Sequence, residues 1–278
     1  MKILCFGEIL WDIYGDEKVI GGAPFNFSAH AVKSGAQAYL VSAVGNDSLG
    51  KEAIAELEKK GVSSKFVNIK SGVETGKCLV ELDDDKVPHY TLKTGVAYDE
   101  IEFDGELDAD ALYFGTLALR SEKSRKTLLS MLEKKRDLTV FCDLNLREPF
   151  YDEEVVKLCL ENATIIKLSD GEAEFVTAMT GEKESSPQKA CEIILREYQN
   201  LETVVITCGA DGAYAMDKSG IYYCPALATK VVSTVGAGDS FGAVFLVETL
   251  KKTGIERALK LASERSAFVV SRLEAIPD

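Results

Sequence analysis

The sequence predicts an α/β protein: a mostly parallel sheet covered by helices on both faces, in three layers. Three observations predict it. Short apolar runs, β-branched and aromatic, alternate with helical patterns along the chain. The runs are nearly continuous in apolar character, as strands buried on both faces are. The chain has 278 residues, 46% hydrophobic and 28% charged, an ordinary soluble composition with enough length for a large core.

The expected strands are, in order, 2–7 (KILCFG), 38–44 (AYLVSAV), 111–115 (ALYFG), 138–143 (LTVFCD), 163–168 (ATIIKL) and 203–208 (TVVITC). Helical patterns fall at 24–35, 48–60, 121–136, 153–161, 170–180, 186–199, 239–252 and 255–272. In such a sheet, ligands bind beyond the carboxyl ends of the strands. Two stretches break the rhythm. Residues 12–22 and 75–95 read as antiparallel strands, the second folded around an acidic turn, DDDK. They predict a small sheet outside the main layer. No repeat, low-complexity tract or linker is visible, and only six prolines occur. One domain is therefore expected over 1–278, with the small-sheet segments at about 12–22 and 75–97 inserted.

The net charge of −13 argues against a nucleic-acid partner, which needs a basic face. Eleven acids and two lysines lie between Glu81 and Asp110, a run that reads as a solvated face or loop. No run approaches the roughly 18 apolar residues of a membrane span, so no membrane partner is expected. The first apolar stretch meets Glu8 and Asp12 at once, which marks a strand and not a signal peptide. Seven scattered cysteines without a CxxC pair read as reduced thiols of a cytoplasmic protein. His30 and His89 are the only histidines, too few for a histidine-based metal site.

Three glycine-rich segments could meet phosphate or sugar. VGNDSLGKE has the spacing of a P-loop at Gly45, Gly50 and Lys51, but Glu52 stands where a magnesium-binding hydroxyl is needed. The better reading is a strand–turn–helix junction capped by Asn46 or Asp47. GGAPFN places paired glycines, Gly21 and Gly22, before a helix whose first turn carries Pro24 and Asn26. TVGAGDSFG follows a short expected strand at Val231–Val232 and opens a strongly apolar helix. Gly236, Ala237 and Gly238 can aim N–H groups at one point, an anion hole, with Asp239 as proton acceptor. Spacing alone leaves an N-capping aspartate after a turn equally open.

Together, GGAPFN near the start and TVGAGDSF near the end resemble the PfkB, or ribokinase-like, carbohydrate kinases. The resemblance covers nearly the whole chain and implies an ATP-dependent sugar kinase with a three-layer α/β/α fold and a small β-sheet lid. It implies Asp239 as general base and Gly236, Ala237 and Gly238 as the anion hole. It implies Asp12, Gly21, Gly22 and Asn26 as sugar-holding positions. Tyr14, His89, Tyr90 and Tyr98 are lid candidates, with Tyr90 placed at the sugar. DLNLREPF resembles a family stretch that gives Asn145 and Arg147 to the nucleotide and phosphate side. KLSDGEAE resembles the family's NxxE segment, with Ser169 at the asparagine and Glu172 orienting Mg²⁺ through water. TCGADG gives Thr207, Gly209 and Gly212 to the nucleotide, and Ser263 stands near the expected adenine. Ser233 and Glu274 depart from the family pattern and count against a monovalent-cation site. GGAPFNFSAHA and the ending AIP look most like bacterial fructokinases, which implies ATP-dependent phosphorylation of D-fructose to fructose 6-phosphate. A ribokinase, a 2-keto-3-deoxygluconate kinase, a nucleoside kinase or a non-catalytic sugar or nucleotide sensor are the alternatives. A homodimer through the lid is a further implication.

Overall fold

The computed structural model describes residues 1–82, 88–134 and 138–278. Strands β1 (Lys2–Phe6), β4 (Gln37–Gly45), β5 (Ser63–Lys70), β8 (Ala111–Gly115), β9 (Thr139–Asp143), β10 (Ile165–Ser169), β11 (Thr203–Thr207), β12 (Ala213–Asp217) and β13 (Gly220–Cys224) form the main sheet. Among the described residues its order is β13-β12-β11-β10-β9-β8-β1-β4-β5. Pairing is parallel from β5 to β11, and β12 and β13 add an antiparallel edge. A second sheet has β2 (Leu10–Tyr14), β3 (Glu17–Gly21), β6 (Gly76–Leu82) and β7 (Pro88–Leu92) in the order β3-β2-β6-β7. This is the small sheet expected from 12–22 and 75–95. The DDDK turn, 83–86, lies outside the described residues.

Alternation along the strands builds the three layers. Leu4, Leu112, Val140, Ile166 and Val204 point to one face and meet α3 (Glu122–Glu133), α4 (Glu153–Asn162), α5 (Asp170–Met179) and α6 (Pro187–Glu197). Ile3, Tyr113, Phe141, Ile165 and Val205 point to the other and meet α1 (Ala23–Lys33), α2 (Ser48–Lys59), α7 (Ala237–Leu250) and α8 (Ile255–Val270). Helix α7 is apolar all round and packs between the sheet, α1 and α8, so no face of it needs polar residues. Each fully buried phenylalanine of this core, such as Phe141, adds roughly 2 kcal/mol of burial free energy.

Three strands escaped the sequence reading. β5 is half-buried along the sheet edge, with Lys65 and Ile69 exposed, and β12 and β13 form a short hairpin around 218–219. The strand expected at Val231–Val232 is absent. Both residues are exposed in a loop held by N–H groups of Val232 and Ser233 on the Val270 carbonyl. The acidic stretch is not simply a solvated loop. Asp99 is buried, and its carboxylate accepts from Arg120 at 2.8 Å and from the Gly95 N–H at 2.8 Å. Glu100 and Glu102 pair with Lys123 and Lys70.

The VGNDSLGKE segment is a capped junction. Asp47 Oδ1 accepts from the Gly50 N–H at 2.7 Å and from Thr75 Oγ1 at 2.6 Å, and Oδ2 accepts from the Thr75 N–H at 2.9 Å. Asp47→Ala removes all three bonds. It is expected to lower stability by about 2–4 kcal/mol in urea unfolding. A loss below about 0.5 kcal/mol would show the cap to be dispensable.

No helix among the described residues is long and apolar enough to cross a membrane. The seven cysteines are free, six of them buried.

Candidate active site

The chain leaves β1 toward β4 on one side of the sheet and returns through β8 on the other. The carboxyl ends of β1 and β8 therefore flank the crevice where a ligand fits such a sheet. The loop after β1 supplies Glu8, which is buried and accepts from the Ala23 N–H at the start of α1 at 3.1 Å. Burial pushes this carboxyl above its usual range, while Arg147 and Arg120 pull it back. Glu8 thus fixes the N-terminus of α1 across the crevice. Gly22 lies against it with φ 111°, and a Cβ there would stand 2.6 Å from the Glu8 carbonyl oxygen. Only glycine fits.

From the first turn of α1, Asn26 Nδ2 donates to Asp239 Oδ2 at 2.8 Å. Asn26 Oδ1 is buried and has no partner among the described residues, so the amide keeps an acceptor free beside Asp239. Such an acceptor suits a sugar hydroxyl. Burial pushes Asp239 up to about 7, Asp143 and Glu8 add to the rise, and Asn26 and Lys167 oppose it. A carboxylate tuned near neutrality is matched to taking a proton. A general base acts only in its ionised form, so a role for Asp239 as base predicts that kcat falls about tenfold per pH unit below about 7 and levels off above. A kcat profile flat between about pH 5 and 8 would refute this role for Asp239.

Gly236 caps α7 in the left-handed conformation, φ 79°. Behind it runs the chain's last loop: a Cβ on Gly236 would stand 2.6 Å from the Ala275 carbonyl oxygen. His30 holds that loop. Its Nε2 bonds the Ala275 carbonyl at 2.9 Å, and Arg265 lies 3.3 Å from Nδ1. Burial pushes His30 down to about 4, so it is neutral and donates through Nε2. The first-turn N–H groups of Gly238 and Asp239 carry no carbonyl partner among the described residues, as a helix start leaves them. With the helix dipole they form a site suited to an anion.

On the small sheet, Asp12 sits beside Cys78 in register. Burial pushes Asp12 up to about 6, against a hydrogen bond from the Cys78 thiol and the charge of Arg147. A Cβ on Gly21 would stand 2.9 Å from Asp12 Oδ2, so the glycine lets β3 pass close to the carboxylate. Tyr14 follows on the same face of β2. Its phenol is pushed up by burial and by the nearby Asp12 and Tyr90. Tyr90 is 59% exposed on β7. Tyr98 is fully buried under the Arg120 guanidinium, a core role. His89 lies in β7, and its side chain is outside the described residues.

Beyond β9, Asn145 takes φ 41°, a left-handed position that asparagine tolerates. Arg147 is exposed, and its charge reaches Glu8, Asp12 and Asp143. Glu172 Oε1 accepts from the Leu146 N–H at 2.6 Å and Oε2 from the Ser169 N–H at 2.7 Å. It therefore ties the β9 loop to the start of α5. Each oxygen keeps a lone pair, a donor set that fits Mg²⁺ held through water, with phosphate oxygens supplying other ligands. Ser169 and Thr207 end neighbouring strands side by side, and Thr207 Oγ1 donates to the Leu168 carbonyl. Gly209 lies in a short turn at φ 53°. Gly212, φ 96°, packs against the carbonyl of Cys224. Ser263 is buried in α8 and donates to the Leu259 carbonyl at 2.9 Å. Ser233 Oγ accepts from the Val235 N–H.

Sequence reasoning missed Glu8, Asp143 and Lys167. Glu8 and Asp143 stand just past and at the carboxyl ends of apolar strands, and Lys167 stands in the middle of one; a charge in such a strand was the available signal.

Known proteins resemble this chain over nearly its whole length. The profile of the pfkB family carbohydrate kinases matches residues 3–278. Probable fructokinase-5 of Arabidopsis thaliana is 28% identical over 308 residues, covering 99% of this chain and 93% of its own. An uncharacterized sugar kinase of Pyrococcus horikoshii, PH1459, solved in complex with ATP, superposes with a TM-score of 0.83 at 27% identity. It covers 99% of this chain and 94% of its own. Fructokinase from Vibrio cholerae, solved with fructose, ADP and calcium ion, has a TM-score of 0.85 at 21% identity over 99% and 94% of the two chains, which speaks to the fold.

Proposed function

The chain belongs to the pfkB family of carbohydrate kinases, and we propose that this member transfers the γ-phosphoryl group of ATP to a primary hydroxyl of a small sugar, D-fructose, giving fructose 6-phosphate. The observation that carries the reading is Asn26 and Asp239 held together at a helix start whose Gly238 and Asp239 N–H groups have no carbonyl partner among the described residues. Asp239 takes the proton of the acceptor hydroxyl as its oxygen forms a bond to the γ-phosphorus. The bond from that phosphorus to the bridging oxygen breaks, and the electron pair leaves with ADP. The Ala237 N–H is held by the Thr234 carbonyl at 3.3 Å, which leaves the N–H groups of Gly236 and Gly238 to face the negative charge on the transferring group. Arg147 adds an exposed cation on the same side. Asp12 and the free Asn26 oxygen hold sugar hydroxyls, beside Gly21 and Gly22. Asn145, Ser169, Thr207, Gly209, Gly212 and Ser263 bound the nucleotide side. Glu172 would hold Mg²⁺ through water, and the ion would neutralise charge on the phosphates.

Coupled ADP release over a panel of fructose, ribose, 2-keto-3-deoxygluconate and nucleosides tests the reading. Highest kcat/KM on fructose is expected. Silence on every acceptor would remove the kinase reading, and a clear preference for another sugar would remove fructose. A cytoplasmic location belongs to the same proposal, supported by the free cysteines. So does a homodimer through the small sheet, where β3 is an edge strand and Val19 and Tyr90 are exposed. Sedimentation showing monomer alone at working concentration would remove the dimer.

A further inference from the structure

One buried ion pair has no task in the mechanism above. Asp143 ends β9, and Lys167 is its register neighbour on β10. Both point to the face of the sheet that carries α7, in line with Phe141 and Ile165. Lys167 Nζ donates to Asp143 Oδ1 at 2.9 Å and to Oδ2 at 3.0 Å. Their side chains are 7% and 2% exposed. A pair buried this deeply recovers little net stability, because desolvation offsets the attraction. Its position is more informative. A Cβ on Gly238 would stand 3.3 Å from Lys167 Nζ, so the ammonium lies directly against the backbone of the turn that faces the phosphoryl group.

We propose that Lys167 is a positioning residue for phosphoryl transfer: its ammonium, locked by Asp143, is the floor of the Gly236–Asp239 turn and holds positive charge behind the anion hole. The proposal rests on the kinase reading. As charge moves from Asp239 toward the transferring group, the fixed ammonium stays behind the N–H groups and needs no reorganisation. Asp143 keeps it from swinging toward the phosphates. The groups facing Asp239 are Asp143 from β9, Lys167 from β10, Glu8 from the loop after β1, the buried Tyr113 phenol from β8 and Asn26 from α1. Lys167 also feels Glu172 from α5.

The test uses the full chain, with wild type, Lys167→Met and the double variant Lys167→Met/Asp143→Asn assayed side by side. The single variant strands a buried carboxylate and can fail to fold. The double variant removes both charges and keeps the volume. Expected for the folded double variant is a kcat loss of about 100-fold, with KM for ATP and sugar within about threefold of wild type. Where Lys167→Met folds, the acid limb of its kcat profile moves to higher pH, since Asp239 has lost a neighbouring cation. A structural role alone would move melting temperature and leave kcat and the limb in place. Wild-type turnover with a double variant within about threefold in kcat overturns this proposal and leaves the kinase reading intact. A wild-type chain silent on the whole panel overturns both.

Discussion

Asp239→Asn is expected to lower kcat by about 10³-fold or more, with KM values changed only a few-fold. The amide has the shape of the carboxylate, and its oxygen can accept from Asn26 Nδ2 as Asp239 Oδ2 does. What it cannot do is take a proton. The same variant is expected to melt at a higher temperature than wild type at pH 8. The folded-state pKa of Asp239 is raised to about 7, so its ionised form is disfavoured in the fold above that pH, and removing the charge removes that cost. The difference is expected to shrink as pH falls below about 7 and to close only below the ordinary aspartate value of 3.8, where the folded and unfolded chains are both neutral here. Calorimetry at these pH values, beside the kinetic assay, separates a proton acceptor from a helix cap. A cap lost would lower stability and leave turnover largely intact.

Gly236→Ala is expected to be nearly as damaging by another route. The residue sits at φ 79°, where a side chain costs about 1–2 kcal/mol. The added methyl would also stand 2.6 Å from the Ala275 carbonyl oxygen and 2.9 Å from its Cα. That loop cannot retreat easily, because His30 and Arg265 hold it from behind. A total loss of about 2–4 kcal/mol is expected in urea unfolding. The turn must shift to relieve the overlap, so its N–H groups leave the phosphoryl position and kcat falls by about 100-fold or more. A stable, active Gly236→Ala chain would show that the turn is not held by the tail.

The fold was legible because its strands are apolar on both faces and its helices carry one apolar stripe or, in α7, apolar residues all round. The glycine motifs were legible because each glycine answers a backbone need: φ 111° at Gly22 and φ 79° at Gly236. Edge elements were not legible. β5 has one half-exposed face and no continuous run, and Val231–Val232 looked like a strand but has no neighbour to pair with. The buried charges were hidden for a related reason. Lys167 stands in IIKLS and Asp143 closes TVFCD, and one charge in an apolar strand cannot announce its partner on the next strand. The pair exists only once β9 and β10 are in register. Glu8 likewise marked a non-signal start, and its bond to α1 follows from the β1–α1 geometry alone. Arg147 shows the limit of a motif: the segment marks it for the phosphates, and its field also falls on the sugar-side carboxylates.

The Asn26–Asp239 bond joins residues 213 positions apart, and the loop at Ala275, behind Gly236, is held by His30 across 245 positions. Loop closure over such separations is slow and comes after local helices have formed. Competence is therefore a late property of this molecule. During refolding from urea, helix signal recovers first and turnover lags it. Partly folded forms carry their apolar strands but no base beside an acceptor, so they hydrolyse and transfer nothing while they wait.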